Sequence, residues 1–145
     1  MSLKNILSRR LVTCEPSTSI HEMAKLMRDR EVGALLVVDG KKPVGIITDR
    51  DLVLRGLAEN RQLPTLSASD IMSEAVETVS EDAGIYELTE KMRKAWIRRV
   101  VVVDRQGEAI GLVSFDDIFE LITDEMIALQ EVTRPREPKF MRQTG

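Results

Sequence analysis

The chain is poor in several things at once. It holds a single cysteine, Cys14, among 145 residues, so no intrachain disulfide can form, and a reducing, cytoplasmic setting is the expectation. Cys14 falls in an apparent strand and reads as a small buried side chain. The one histidine, His21, lies on a helix among charged neighbours; a metal site needs several ligands, so no metal is expected and His21 reads as a surface residue. Aromatics are only 3% of the chain, which leaves the core to Val, Ile, Leu and Met. The net charge is −3, far from the cationic field of a nonspecific nucleic-acid binder. The apolar runs are strand-sized and none approaches a membrane span. Residues Met1–Asn5 lack the apolar core of a signal peptide. No nucleophile–base pair, metal cluster or glycine-rich phosphate loop is present, so catalysis is not expected.

What the chain does have, it has twice. Ile20, Met27, Arg28, Val37, Val38 and Asp39 recur at a constant offset of 65 as Ile85, Met92, Arg93, Val102, Val103 and Asp104. One extra residue in the second turn then moves the offset to 66, so that Gly45-Ile46-Ile47-Thr48-Asp49-Arg50-Asp51-Leu52 is answered by Gly111-Leu112-Val113-Ser114-Phe115-Asp116-Asp117-Ile118. A fixed period means one supersecondary unit used twice, each copy helping to bury the other's apolar face. Two copies also imply two equivalent clefts about a pseudo-twofold axis.

Each copy opens on a short helical turn, Leu3–Leu7 or Ala68–Met72, and a brief strand around Leu11–Thr13 or Val76–Val79. An amphipathic helix follows, with Ile20, Met23, Met27 or Ile85, Leu88, Met92 on one face. Ser17, Thr18 or Ser19 and, in the second copy, Asp82 are candidate caps. The apolar runs Ala34–Val38 and Val100–Val103 read as strands buried on both faces. Short turns join them to Val44–Thr48 and Ala109–Ser114 as antiparallel hairpins. A closing helix begins near Asp49 or Phe115. The order per copy is strand, helix, strand, strand, helix, an α+β class. The expected boundaries are 1–60 for the first copy, 61–67 for a linker, 68–130 for the second copy and 131–145 for a loose, Pro-containing tail. Trp96, before a buried strand, is either a packing anchor or an interface contact, the latter being favoured.

The chemistry concentrates at the closing motif. Thr48 and Ser114 stand where a buried strand gives way to a helix, whose first amides are unpaired and carry partial positive charge. Asp51 and Asp117 follow one helical turn on, on the same side. A carboxylate is acceptor-only and takes both hydroxyls of a ribose. Hydroxyl and amides for a phosphate, with a carboxylate for a sugar diol, describe a nucleotide site. The same spacing is also a capping-box variant that merely stabilises a helix; its occurrence after two matched hairpins tips the reading toward a site.

These motifs in this order resemble a tandem pair of CBS (cystathionine-β-synthase) domains, a Bateman module, over roughly nine-tenths of the chain. The resemblance implies two pseudo-twofold-related units, each a small sheet with helices packed on it. It also implies a homodimer, adenosine-containing ligands such as AMP, ADP, ATP or S-adenosylmethionine, and a regulatory role toward an unidentified protein. Carried over, one cleft joins Thr48 and Asp51 to Thr78, Ile97, Arg98 and Arg99, with Arg50 nearby. The other joins Ser114 and Asp117 to Thr13, Val32, Gly33 and Ala34. The arginines would favour a phosphorylated nucleotide in the first cleft. Asp116, standing where Arg50 does, would repel an anion from the second. The alternatives are a sensor of S-adenosylmethionine or NAD, and a dimerisation or partner-docking module with vestigial clefts.

Overall fold

The computed structural model describes residues 3, 6–7, 11–59 and 62–135. Two three-stranded sheets form, with strand orders β1-β2-β3 and β4-β5-β6. In the first, β1 (Thr13–Cys14) pairs parallel with β2 (Ala34–Asp39), which pairs antiparallel with β3 (Lys42–Thr48). The second repeats this with β4 (Thr78–Ser80), β5 (Arg99–Val103) and β6 (Ala109–Ser114). The parallel pair in each is bridged by a helix, α1 (Ile20–Arg30) or α4 (Ile85–Ala95), as a parallel connection requires. Ser19 caps α1 by accepting from the Glu22 amide at 3.2 Å. The cap position of α4 is Gly84, with no side-chain bond, rather than Asp82. The Asp82 amide is held by Ser80 Oγ at 3.2 Å in a turn that ends before the helix starts.

The central strands are covered on both faces. Leu35, Val37 and Ile47 join Met23 and Met27 in one core cluster, and Val100, Val102 and Val113 join Leu88 and Met92 in another. Leu36 and Val101 are equally buried. Side chains alternate along a strand, so these two face away from the helices, into the contact between the halves.

The openings of the copies cross over. Leu3, wholly buried, belongs to the core of the second sheet with Ile6 and Leu7 packed beside it. The amides of Ile6 and Leu7 both bond the Leu3 carbonyl, at 3.0 and 2.9 Å. In mirror fashion, α3 (Ala68–Ile71) buries Ala68 and Ile71 in the core of the first sheet. The motif glycines mark the crossings. A Cβ on Gly45 would collide with the Met72 side chain, and one on Gly111 would sit 2.5 Å from Leu7 Cδ2. Gly45 and Gly111 are therefore packing glycines, fixed by the close approach of a segment from the other copy.

The closing helices differ. In the first copy α2 (Asp49–Asp51) passes directly into a wider π-helical stretch, Leu52–Leu57, marked by the Ala58 amide bonding the Val53 carbonyl at 2.8 Å. In the second copy α5 runs from Phe115 to Thr133. It continues past Gln130 into the segment read as tail; residues 136–145 of that tail lie outside the described residues. Between the copies Leu63–Thr65 forms a single 3-10 turn; residues 60 and 61 lie outside the described residues.

Candidate functional site

Ser114 ends β6 and caps α5, because the strand places its hydroxyl beside the first free amides of the helix. Its Oγ accepts from the Asp117 amide at 3.2 Å. Asp117 Oδ2 in return accepts from the Ser114 amide at 2.9 Å and the Ser114 hydroxyl at 2.7 Å. Thr48 and Asp51 repeat the arrangement at 2.9 and 3.1 Å, with the Asp51 amide 3.3 Å from Thr48 Oγ1. In both copies the capping box is thus made, by one carboxylate oxygen. The other oxygen sets the copies apart: Asp51 Oδ1 lies 3.7 Å from Arg55 Nε, whereas Asp117 has no ion pair among the described residues.

The Ser114/Asp117 pair opens onto a groove of about 200 Å³ between the copies, lined by Val32, Gly33, Ala34, Arg99, Leu112, Ser114, Asp116 and Asp117. Five of the residues expected there are thereby brought together. Thr13 is not; it borders a separate concavity beside α1 together with Glu15, Thr18 and Lys25. A second inter-copy groove, of about 170 Å³, is lined by Ile46, Ser73, Ala75, Glu77, Ile97, Arg98 and Arg99. It collects the expected Ile97, Arg98 and Arg99, but Thr48, Arg50, Asp51 and Thr78 are absent from its lining. Glu77 there is paired with Lys91 at 3.6 Å, and the Thr78 carbonyl accepts a hydrogen bond from Lys91 Nζ. The Arg50 amide donates to Asp49 Oδ1 at 2.9 Å at the exposed helix start.

Arg98 turns toward the Ser114 side. The antiparallel register pairs Arg99 with Ser114, so residue 98 abuts the start of α5, and the Phe115 amide bonds the Arg98 carbonyl at 2.7 Å. From there Arg98 Nη2 reaches Asp116 Oδ1 at 3.2 Å, and the guanidinium carbon lies 5.2 Å from the centroid of the Phe115 ring. Asp116 is thus partnered by Arg98 across an exposed ion pair, while Arg98 also lines the second groove. The equivalent position in the first copy is Gly33, whose carbonyl accepts from the Asp49 amide at 3.0 Å but which has no side chain to reach Arg50.

Two wider concavities, about 690 and 590 Å³, flank α4 and α1 within single copies. The first is walled largely by Glu and Lys, and neither carries a hydroxyl–acid pair, so the smaller Ser114/Asp117 groove holds the stronger claim on chemistry. Among the described residues no group of His, Cys, Asp and Glu fits a metal ion, and no helix is long and apolar enough to cross a membrane. Burial pushes the Cys14 thiol up to about 11. Trp96 is 94% exposed, which removes the packing-anchor reading. A third capping box went unread in the sequence: Ser67 and Asp70, with the Ser67 amide 2.8 Å from Asp70 Oδ2, open α3 away from both grooves. The spacing Ser-Ala-Ser-Asp was the available signal.

The model of the CBS domain matches residues 3–57 and 68–124. A protein of Methanopyrus kandleri, MK0525, is 34% identical over 139 residues, spanning 90% of this chain and 71% of its own length. Among solved structures, the CBS domain pair of protein MJ0100 in complex with 5′-methylthioadenosine and S-adenosyl-L-methionine superposes with a TM-score of 0.75 at 33% identity, covering 86% of this chain and 98% of that one. The CBS domain protein PAE2072 from Pyrobaculum aerophilum complexed with AMP gives a TM-score of 0.72 at 29% identity, covering 85% and 99%. Repeat, sheet topology and comparison agree: the chain belongs to the CBS-domain family and carries two copies of the domain in tandem.

Proposed function

We propose that the protein is a regulatory module that binds an adenosine-containing ligand in the grooves between its two copies and performs no chemistry on it. The observation that carries this reading is the groove in which Val32–Ala34 of one copy face Ser114 and Asp117 of the other. The apolar backbone stretch offers a wall for a base, and the outer oxygen of Asp117 an acceptor for a ribose diol. The groove is smaller than the ~300–1,000 Å³ of enclosed ligand pockets, so the charged end of the ligand lies at its rim, beside Arg99. The relatives whose complexes contain AMP, S-adenosyl-L-methionine and 5′-methylthioadenosine support the ligand class. Thr48 and Asp51, with Arg55 drawn against the carboxylate, form the weaker counterpart. Calorimetric titration with AMP, ADP, ATP, S-adenosylmethionine and NAD tests the reading: saturable binding of an adenosyl ligand supports it, and no heat or thermal shift with any of them refutes it.

A homodimer completes the proposal. The closing helices leave Val53, Leu54 and Leu57 in one copy, and Phe115, Phe119 and Ile122 in the other, exposed to solvent. Apolar surface of this extent marks an association face, and a second copy of the chain is the proposed occupant. The dimer, with that face covered, would meet a regulated protein in one ligand-dependent arrangement or another. The dimerisation or docking reading without a ligand rests on the same face, and a stable dimer indifferent to all five ligands would favour it.

A further inference from the structure

Helix α5 outlasts the domain it closes. The CBS match ends at residue 124, and α5 runs on to Thr133, whereas the closing stretch of the first copy ends at Leu57. From Ile122 to Thr133 every residue of α5 is exposed. Turns of that length have little stability of their own in water, so their apolar side chains call for a partner. Those side chains follow one regular pattern. Phe115, Phe119, Ile122, Met126, Leu129 and Thr133 are spaced 4, 3, 4, 3 and 4 residues apart, and the first five are exposed large hydrophobics. Alternation of three and four is the heptad spacing of a coiled-coil seam.

The charges are sorted about the same seam. The helix carries six acids, Asp116, Asp117, Glu120, Asp124, Glu125 and Glu131, and no base. None of the six stands on the seam. Asp117, Asp124 and Glu131 occupy the heptad position opposite it, which leaves Asp117 to its groove. In a parallel pair of such helices the flanking residues that meet are Ile118 with Thr123 and Glu125 with Gln130, so no two acids meet across the seam. An antiparallel pair built on the same layers would set Glu125 against its own counterpart. A cationic partner would need acids turned toward it, and here they are turned away.

We propose that α5 pairs in parallel with α5 of a second chain, and that Asp124–Thr133 continue the pair as a short coiled coil beyond the two CBS copies. The inference rests on the homodimer proposed above and deepens it. That homodimer needs only a second copy on the face of Phe115, Phe119 and Ile122; the seam adds its orientation and an extension of about 15 Å. The pairing sets the second copies of the two chains side by side. Each Ser114/Asp117 groove lies at the first turn of α5, so one paired rod joins the two grooves and carries their common helix out of the domain.

Two measurements on the full chain test it. Leu129→Cys places a thiol on the seam, and Glu131→Cys places one on the far side. Mild oxidation should link most Leu129→Cys chains into disulfide dimers on a nonreducing gel. Glu131→Cys should stay unlinked, as should the wild type, whose Cys14 is buried. Met126→Glu and Ile127→Glu add the same charge one residue apart, each at a side chain already exposed, so neither should disturb the monomer. Sedimentation equilibrium should show the dimer Kd raised about tenfold or more by Met126→Glu, which removes a buried Met from each side of the seam. Ile127→Glu should stay within about twofold of the wild type. A wild-type dimer in which Leu129→Cys links no better than Glu131→Cys, or in which the two glutamates act alike, would overturn the inference and leave the homodimer standing. A monomeric wild type would overturn both.

Discussion

Replacing Asp117 by Ala separates a helix cap from a ligand contact, because the molecule contains its own control. Asp117 Oδ2 accepts two hydrogen bonds, from the amide and the hydroxyl of Ser114. Asp70 Oδ2 accepts the same two from Ser67, at 2.8 and 3.1 Å, but its box lies away from both grooves. Loss of a cap of this kind costs about 0.5–2 kcal/mol, and for a chain of this size that is a fall in Tm of about 2–7 °C. Both Asp117→Ala and Asp70→Ala should show it in thermal melts. Only Asp117→Ala should also lose the acceptor for the ribose. A hydrogen bond to a charged group is worth about 1.5–3 kcal/mol, so Kd for the tightest adenosyl ligand should rise by about tenfold to 150-fold. Asp117→Asn keeps a side-chain oxygen for the Ser114 amide but not the charge; it should melt near the wild type and still bind more weakly. Calorimetry on the three variants reads both quantities. Equal Kd values for Asp117→Ala and Asp70→Ala would reduce the Ser114/Asp117 pair to a cap and refute the reasoning.

Leu3→Ala should destabilise the second sheet although residue 3 belongs to the first copy, because Leu3 is wholly buried in that core; the expected loss is about 2–5 kcal/mol in urea denaturation, and a loss below about 0.5 kcal/mol would contradict the crossing. Cys14 should resist alkylation at pH 8 in the folded protein and react on unfolding. Its folded pKa of about 11 lies above the ordinary value of 9.0, so its contribution to stability is complete below pH 9 and is lost as pH rises toward about 11; melts that do not fall across that window would contradict the burial. Phe119→Glu places a charge on a side chain that is 62% exposed, so the monomer fold should hold while sedimentation velocity shifts from dimer to monomer; an unchanged dimer would move the association face elsewhere.

Most of the architecture was legible in the sequence because a repeat reports equivalence directly. The Val-rich runs, the turns Gly40–Pro43 and Arg105–Glu108, and the Met-bearing helix faces each appear twice, and periodicity fixes their type. The crossing of Leu3 and Ala68 was not legible, since a period says which segments match and not which copy each one packs against. Gly45 and Gly111 could be seen as invariant between the copies, but only the neighbours Met72 and Leu7 supply the reason. The Thr48/Asp51 and Ser114/Asp117 pairs could be placed at helix starts from spacing alone. Their inequality was legible as a difference in nearby charge, but not its partners. It depends on where long side chains come to rest, with Arg55 against Asp51 and Arg98 against Asp116, and those directions are set by helix turn and strand register rather than by residue type. Asp82 misled as a cap because α4 starts two residues later than polarity suggests, with Gly84 at its cap position. Trp96, read as an interface contact ahead of a packing anchor, caps α4 in the left-handed region, φ 54°, with its ring in solvent, so the packing-anchor alternative fails.

The most direct measurement is a crystal structure of the full chain grown with saturating AMP. The ribose hydroxyls should lie within hydrogen-bond distance of Asp117, with the adenine against Val32–Ala34 and the phosphate at Arg99. AMP bound on the outer faces of α1 or α4, or a ribose turned away from Asp117 into solvent, would contradict it.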